Sequence, residues 1–251
     1  KSTAPKMPKL GKGTECMQLL LYQVSKDMHE PLVPMFFPIL GAQVSESEFQ
    51  YPDLSWKELC GMMGNLVADS GCNKGQLSNI VEAICHNMRE HDNTELEKLV
   101  EWQKQMKMKS ANKEKPARPD VSFWFPPADV TNAAFIQNAM ACEKLGERTQ
   151  YLNLPEVEMA DRMCGGHKQI SQMLRNIYDR QRAGALRATA DGITGNPVLR
   201  ANLTLSSTPF AARKFYKNEL FNGTFGRMVF SYKARHNKRS EERRVGKECR
   251  S

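Results

Sequence analysis

The apolar positions of this chain change period along its length, and those changes mark its elements. Met17, Leu20, Leu21, Val24 and Met28 recur at helical spacing, which predicts a helix from Met17 to Met28. Pro31, Pro34 and Pro38 follow. Proline removes a backbone donor and clashes with the preceding turn, so the helix is expected to stop there. Leu66, Val67 and Ala68 read as a short strand end before a turn at 69–75. Leu77, Ile80, Val81, Ile84, Cys85 and Met88 then make the clearest helical stripe. Leu96, Leu99, Val100 and Met106 prolong it, with a break expected near Asp92-Asn93. Unbroken from Gln76 to Met108, such a helix is about 50 Å long. Its basic far end projects as an arm, closed by Pro116 and Pro119.

Val121, Phe123 and Phe125 alternate with Ser122 and Trp124 and predict a strand ended by Pro126-Pro127. Asp129 or Thr131 caps the next helix, with Ala134, Phe135, Ala139 and Met140 inward and Gly146 at its end. Tyr151, Leu152 and Leu154 form a short strand, and Ile170, Met173, Leu174, Ile177 and Tyr178 a helical stripe. Val198 to Leu205 reads as a strand, Phe210 to Glu219 as a helix and Arg227 to Tyr232 as a last strand. Such alternation predicts an α/β fold: a parallel sheet with helices on both faces.

Composition narrows the class. Of 251 residues, 40% are hydrophobic and 25% charged, an ordinary globular mix. The longest apolar patch, Leu32 to Ala42, is interrupted by prolines and far short of the ~20 residues of a membrane helix. Seven cysteines stand singly with no C-x-x-C, which argues against a disulfide scaffold or zinc ribbon and for a reducing, cytoplasmic compartment. Asn202-Leu203-Thr204 and Asn222-Gly223-Thr224 match the glycosylation pattern and are read as chance. The chain begins at Lys1 without a leader, so a fragment truncated at both ends is expected. The expected division is a lead-in segment, 1–53, with one helix and a proline-rich stretch, then a domain at 54–236. A disordered basic tail, 237–251, follows, of which 240–251 resembles a vector-derived scar.

Charge adds a partner. There are 36 Lys and Arg against 28 Asp and Glu, a net +8. The excess clusters at Lys104, Lys107, Lys109, Lys113, Lys115 and Arg118, and again at Lys233, Arg235, Lys238 and Arg239. Such runs are the footprint of phosphate-backbone binding, here of single-stranded DNA, and equally of a solvated face. Trp102 and Trp124 lie nearby, where indoles stack on bases or bury in the core.

Ala68-Asp69-Ser70-Gly71-Cys72-Asn73-Lys74-Gly75 joins a strand to a helix, the place where backbone N–H groups and a helix N-terminus converge on phosphate. Against G-x-x-x-x-G-K-[ST] only Lys74 matches: Ala68 and Asn73 replace the glycines, and Gly75 replaces the hydroxyl that holds Mg²⁺. Asn73 tolerates the left-handed backbone as glycine does. By spacing alone, an ordinary glycine-containing turn is the commoner reading. Ser70, Gly71, Asn73, Lys74 and Gly75 are the candidate nucleotide-binding residues. Glu156 and Glu158 follow a strand, where one acid holds Mg²⁺ through water (Glu156) and its neighbour polarises the attacking water; a solvated pair capping a helix is the alternative. Ser206 and Ser207 end a later strand as γ-phosphate sensors or helix caps. Arg227 follows a tight turn, as a transition-state arginine in cis or across a homo-oligomer interface, or as one half of a surface ion pair.

Five ordered runs then carry a resemblance: Asn112-Lys113-Glu114-Lys115-Pro116-Ala117-Arg118-Pro119, Asp129-Val130-Thr131-Asn132-Ala133-Ala134-Phe135, Pro155-Glu156-Val157-Glu158-Met159, Leu205-Ser206-Ser207-Thr208 and Asn222-Gly223-Thr224-Phe225-Gly226-Arg227. Over roughly residues 30 to 236 the chain resembles a domain-of-unknown-function family of primase/helicase-like replication proteins, found on mobile genetic elements of anaerobic gut bacteria. The resemblance implies a P-loop NTPase-like fold of the RecA/helicase kind, often with a primase-like region upstream. It implies ATP and Mg²⁺ as cofactors and a role in DNA replication or mobilisation. Many members carry an S-G-K-S loop, from which Ser70-Gly71-Cys72-Asn73-Lys74-Gly75 departs. The alternative expectation is therefore a non-hydrolysing nucleic-acid-binding or scaffold domain with a decayed loop, or an interaction module that takes no nucleotide.

Overall fold

The computed structural model describes residues 15–45, 47–53, 55, 57–59, 61–108, 116–146, 148–163, 170–184, 194–217 and 223–234. Two helices, α1 (Glu15–Tyr22) and α2 (Lys26–Gln43), precede a two-residue antiparallel pair, β1 (Glu48–Phe49) and β2 (Glu58–Leu59). The main body follows in order: β3 (Met63–Ala68), α3 (Gly75–Ile84), α4 (His86–Met108), α5 (Asn132–Leu145), β4 (Gln150–Leu154) and α6 (Met159–Met163). It continues with α7 (Ile170–Tyr178), β5 (Ala201–Ser207), α8 (Pro209–Tyr216), a 3₁₀ turn at Phe225–Arg227 and β6 (Met228–Lys233).

Four strands form one all-parallel sheet in the order β4-β5-β3-β6. Alternation along each strand sends side chains to two separate cores. On one face Leu66 and Tyr151 pack under α1, α2 and α3, against Leu32, Met35, Phe36, Ile39, Leu77, Ile80 and Val81. On the other, Met63, Leu152, Leu154, Leu203 and Leu205 pack under α5 to α8 with Phe135, Leu174, Ile177 and Tyr216. Helices on both faces are what the alternation of elements predicts.

Several boundaries differ from expectation, each for a physical reason. Pro31, Pro34 and Pro38 do not end a helix; they lie inside α2. An internal proline costs roughly 3 kcal/mol, but Met28, Leu32, Met35, Phe36 and Ile39 form a fully buried stripe along this helix. Tertiary burial outweighs local preference here. The chain breaks instead before α2, where Ser25 is extended, so the expected Met17–Met28 helix is two. Gly64 admits α2: a Cβ there would lie 2.9 Å from the Met35 methyl. Because α2 shares the core of β3 and α3, the expected division at residue 53 runs through that core. The long helix breaks at Cys85, between α3 and α4, and not near Asp92-Asn93.

The expected strand at Val121–Phe125 is absent from the sheet. Its backbone donors go to side chains. Glu95 accepts from the Ser122 N–H (3.2 Å), Asn138 from Phe123 (2.8 Å), and the two oxygens of Asp92 from Trp124 and Phe125 (both 2.7 Å). Asp92 is thus a buried acceptor within α4, which is why its polar pair misleads as a helix break. One link to the sheet survives: the Tyr151 N–H donates to the Trp124 carbonyl at 2.8 Å. The segments 1–14, 109–115 and 235–251, with the expected linker, tail and scar, lie outside the described residues.

Among the described residues, no helix is long and apolar enough to cross a membrane. Asn202 is fully buried and so no glycan acceptor; Asn222 lies outside the described residues.

Candidate functional site

In a parallel sheet all carboxyl ends share one edge, and the turn at 69–74 lies on it. Gly71 and Asn73 take positive φ, 81° and 57°, so Asn73 occupies the left-handed backbone that glycine ordinarily holds. The turn closes by Cys72 N–H to Asp69 C=O (3.3 Å) and Gln76 N–H to Asn73 C=O (3.0 Å). α3 starts immediately at Gly75, and a Cβ built there would meet nothing within 4 Å. Lys74 folds back, its Nζ donating to the Ala68 carbonyl at 3.1 Å. A half-buried cation therefore sits against the helix N-terminus, where the macrodipole adds positive potential.

The neighbouring strand ends bring further candidates to this edge. β5 lies beside β3, with Leu66 opposite Ser206 and Val67 opposite Ser207. The two serines face opposite sides. Ser207 Oγ donates to Asn65 Oδ1 (2.9 Å), and Asn65 Nδ2 donates to the Tyr216 hydroxyl (3.0 Å), which fixes Ser207 beneath α8. Ser206 alternates to the face of α2 and α3, the side on which the turn leads away. Glu156 and Glu158 follow β4 at the same edge and are exposed. Since β5 lies between β4 and β3, the two strand ends are about 10 Å apart laterally.

Arg227 is not there. It precedes β6, whose Met228 pairs with Met63 at the start of β3, so it sits at the amino edge. Its guanidinium forms two bonds to Asp179, 2.9 and 3.0 Å, and lies over the Tyr178 ring. The Asp179 carboxylate raises its pKa further. In cis, Arg227 cannot serve the Lys74 turn, which corrects that part of its expectation; within the chain it is half of an ion pair with Asp179.

The basic run divides. Lys104 and Lys107 are exposed on the last turns of α4. Arg118 donates to Gln137 at 3.1 Å; Lys109, Lys113 and Lys115 lie outside the described residues. The tryptophans are engaged. Trp102 Nε1 donates to the Pro116 carbonyl (3.0 Å), and Trp124 stacks on His91 at 3.7 Å. Burial pushes the thiols of Cys85 and Cys142 up to about 12, so neither is a nucleophile.

The sequence missed Lys233. Read as the start of a basic run, it is instead buried at the end of β6, opposite Ala68 in register. Its Nζ lies 2.9 Å from Asp27 in the first turn of α2. Hydrogen bonds from Lys233 and Ser25 hold the Asp27 carboxyl below its ordinary range. Only the parallel register, which no local pattern encodes, brings Lys233 beside Ala68 at the end of β3.

What fold and site define is an α/β protein with an all-parallel sheet covered on both faces, compatible with Rossmann and P-loop-like folds. Neither the family models nor the curated proteins compared with this chain match it.

Proposed function

We propose that this chain is a P-loop NTPase-like domain that binds the polyphosphate of ATP at the 69–75 turn and serves DNA replication or mobilisation of a mobile element. One observation carries the reading. After β3 the chain turns to α3 on one face, and after the adjacent β5 it turns to α8 on the other. Diverging connections open a crevice at the carboxyl ends of neighbouring strands, where ligands of open α/β sheets bind. Lys74 and the α3 N-terminus border that crevice from β3, and Ser206 borders it from the adjacent β5 on the same face. The five motifs of the resemblance support the assignment to replication proteins, and exposed Lys104 and Lys107 support a single-stranded DNA partner.

Mg²⁺ fits less well. Gly75 has no hydroxyl, and among the described residues no three His, Cys, Asp or Glu side chains cluster to hold a metal. Glu156, exposed, is the one acid retained for that role. These departures favour, as a second reading, a domain that binds nucleotide or nucleic acid without turnover.

Titration calorimetry with ATP tests the site. Binding that Lys74→Ala weakens at least about tenfold is expected; no binding, or binding indifferent to Lys74, rejects it. For DNA, Lys104→Gln with Lys107→Gln is expected to flatten the slope of log K against log salt by about 1.4 on a single strand. An unchanged slope makes α4 a solvated face.

A further inference from the structure

Lysine is almost never fully buried unless paired, and Lys233 is 4% exposed. Its partner Asp27 is not buried with it: that side chain is 45% exposed, at the rim of the carboxyl edge. As a clamp the pair is poorly chosen, because desolvating an ammonium costs several kcal/mol, and an apolar side chain would close the same space without that cost. Its position is what distinguishes it. Lys233 is the register partner of Ala68, whose carbonyl takes the Lys74 ammonium, and adjacent strands lie about 4.8 Å apart. Two lysines therefore converge on the end of β3, Lys74 through its bond to the Ala68 carbonyl and Lys233 as the register partner of Ala68 on the neighbouring strand.

Asp27 is tied to the turn as well. Ser25, whose hydroxyl donates to Asp27, donates its backbone N–H to Gln76 Oε1 (3.0 Å) and accepts at its hydroxyl from Gln76 Nε2 (3.0 Å). Gln76 is the second residue of α3. The contacts run from Lys233 through Asp27 and Ser25 to Gln76, two residues beyond Lys74.

We propose that Lys233 is a second phosphate-contacting cation, for which Asp27 competes with the phosphate groups of the bound ligand. This rests on the reading of the turn as a phosphate site. A polyphosphate at the turn draws Nζ away from Asp27, exchanging one anionic partner for another without leaving the ammonium unpaired. Asp27 then sets affinity from outside the turn, and the α2 N-terminus loses its tie to β6 when ligand binds.

The test is a double-mutant cycle read by calorimetry, with ATP and with inorganic pyrophosphate as probes. Lys233→Met is expected to weaken both about tenfold, and Lys233→Arg to restore most of the loss. Asp27→Asn is expected to tighten both about threefold, and to do nothing once Lys233 is Met. An Asp27→Asn gain that persists with Lys233→Met marks a general field effect and overturns the proposal, as does unchanged affinity in Lys233→Met. If Lys233→Met does not fold, as judged by thermal unfolding, Lys233→Gln and the Asp27→Asn arm decide. Binding that depends on Lys74 but not on Lys233 removes this inference alone. Failure of the unaltered chain to bind either probe removes the phosphate site and this inference together.

Discussion

The two edges of the sheet use charge in opposite ways. At the amino edge, polar groups are closed on one another. Asn202 Oδ1 accepts from the Met62 N–H (3.1 Å) and from Arg180 (2.7 Å), while its Nδ2 donates to the Pro38 carbonyl (3.1 Å). Arg227 is pinned by Asp179. At the carboxyl edge Glu156 and Glu158 face solvent, and the Lys74 ammonium bonds the carbonyl at the end of β3. The amino edge pairs its charges with one another, while the carboxyl edge holds both an ion pair, buried Lys233 with half-exposed Asp27, and acids exposed to solvent. Sequence patterns do not distinguish the two, since both edges carry short polar turns of similar composition.

The largest effect that sharpens this contrast is structural. Asn202→Ala strips a buried site of three bonds and is expected to lower stability by about 3 kcal/mol in urea unfolding; a loss under 1 kcal/mol means the amino edge is not closed as described. Next, Lys74→Ala is expected to cost ATP at least about tenfold in affinity, or about 1.4 kcal/mol, with little change in stability. Arg227→Ala reverses the signature, with about 1 kcal/mol of stability lost and ATP affinity unchanged. Weakened nucleotide binding in that variant, read by calorimetry, returns Arg227 to the site.

The smallest effect is in pH. Because Asp27 titrates below the ordinary carboxylate range in the folded chain, its contribution is full above about pH 4, the unfolded value. It is lost as pH falls through the lower, folded value. Asp27→Asn is expected to shallow the decline of stability below pH 4, and an unaltered acid limb shows the pair contributes nothing in solution. Asp27 is half exposed, so the change is small.

Much of this architecture is legible from local pattern. The stripe from Leu77 to Met88 marks α3 and the start of α4, Thr131 and Thr208 cap α5 and α8 through their hydroxyls, and β4, β5 and β6 fall within a few residues of their expected bounds. The failures share one cause. α2 persists through its prolines, and residues 121–125 leave the ladder, because distant partners decide their conformation. Likewise the turn is visible as a motif, but Ser206 parts from Ser207, Lys233 comes beside the end of β3 and Arg227 lies at the opposite edge through register and strand direction. Those are properties of the assembled sheet.

The side-chain collar around residues 121–125 has a consequence for solubility. A parallel sheet ends in two open margins, each a template on which a foreign strand can add. Along β4 that margin is occupied by a segment whose donors already belong to Asp92, Glu95 and Asn138. It shields the edge and offers little ladder of its own. Along β6, with Val229 and Tyr232 exposed, no strand among the described residues lies outside. Among the described residues the sheet thus has one covered margin, at β4, and one open margin, at β6. Asp92 therefore also holds a cover over the β4 margin: Asp92→Ala is expected to free residues 121–125 and to raise aggregation in light scattering, and an unchanged signal shows that the segment does not shield the edge.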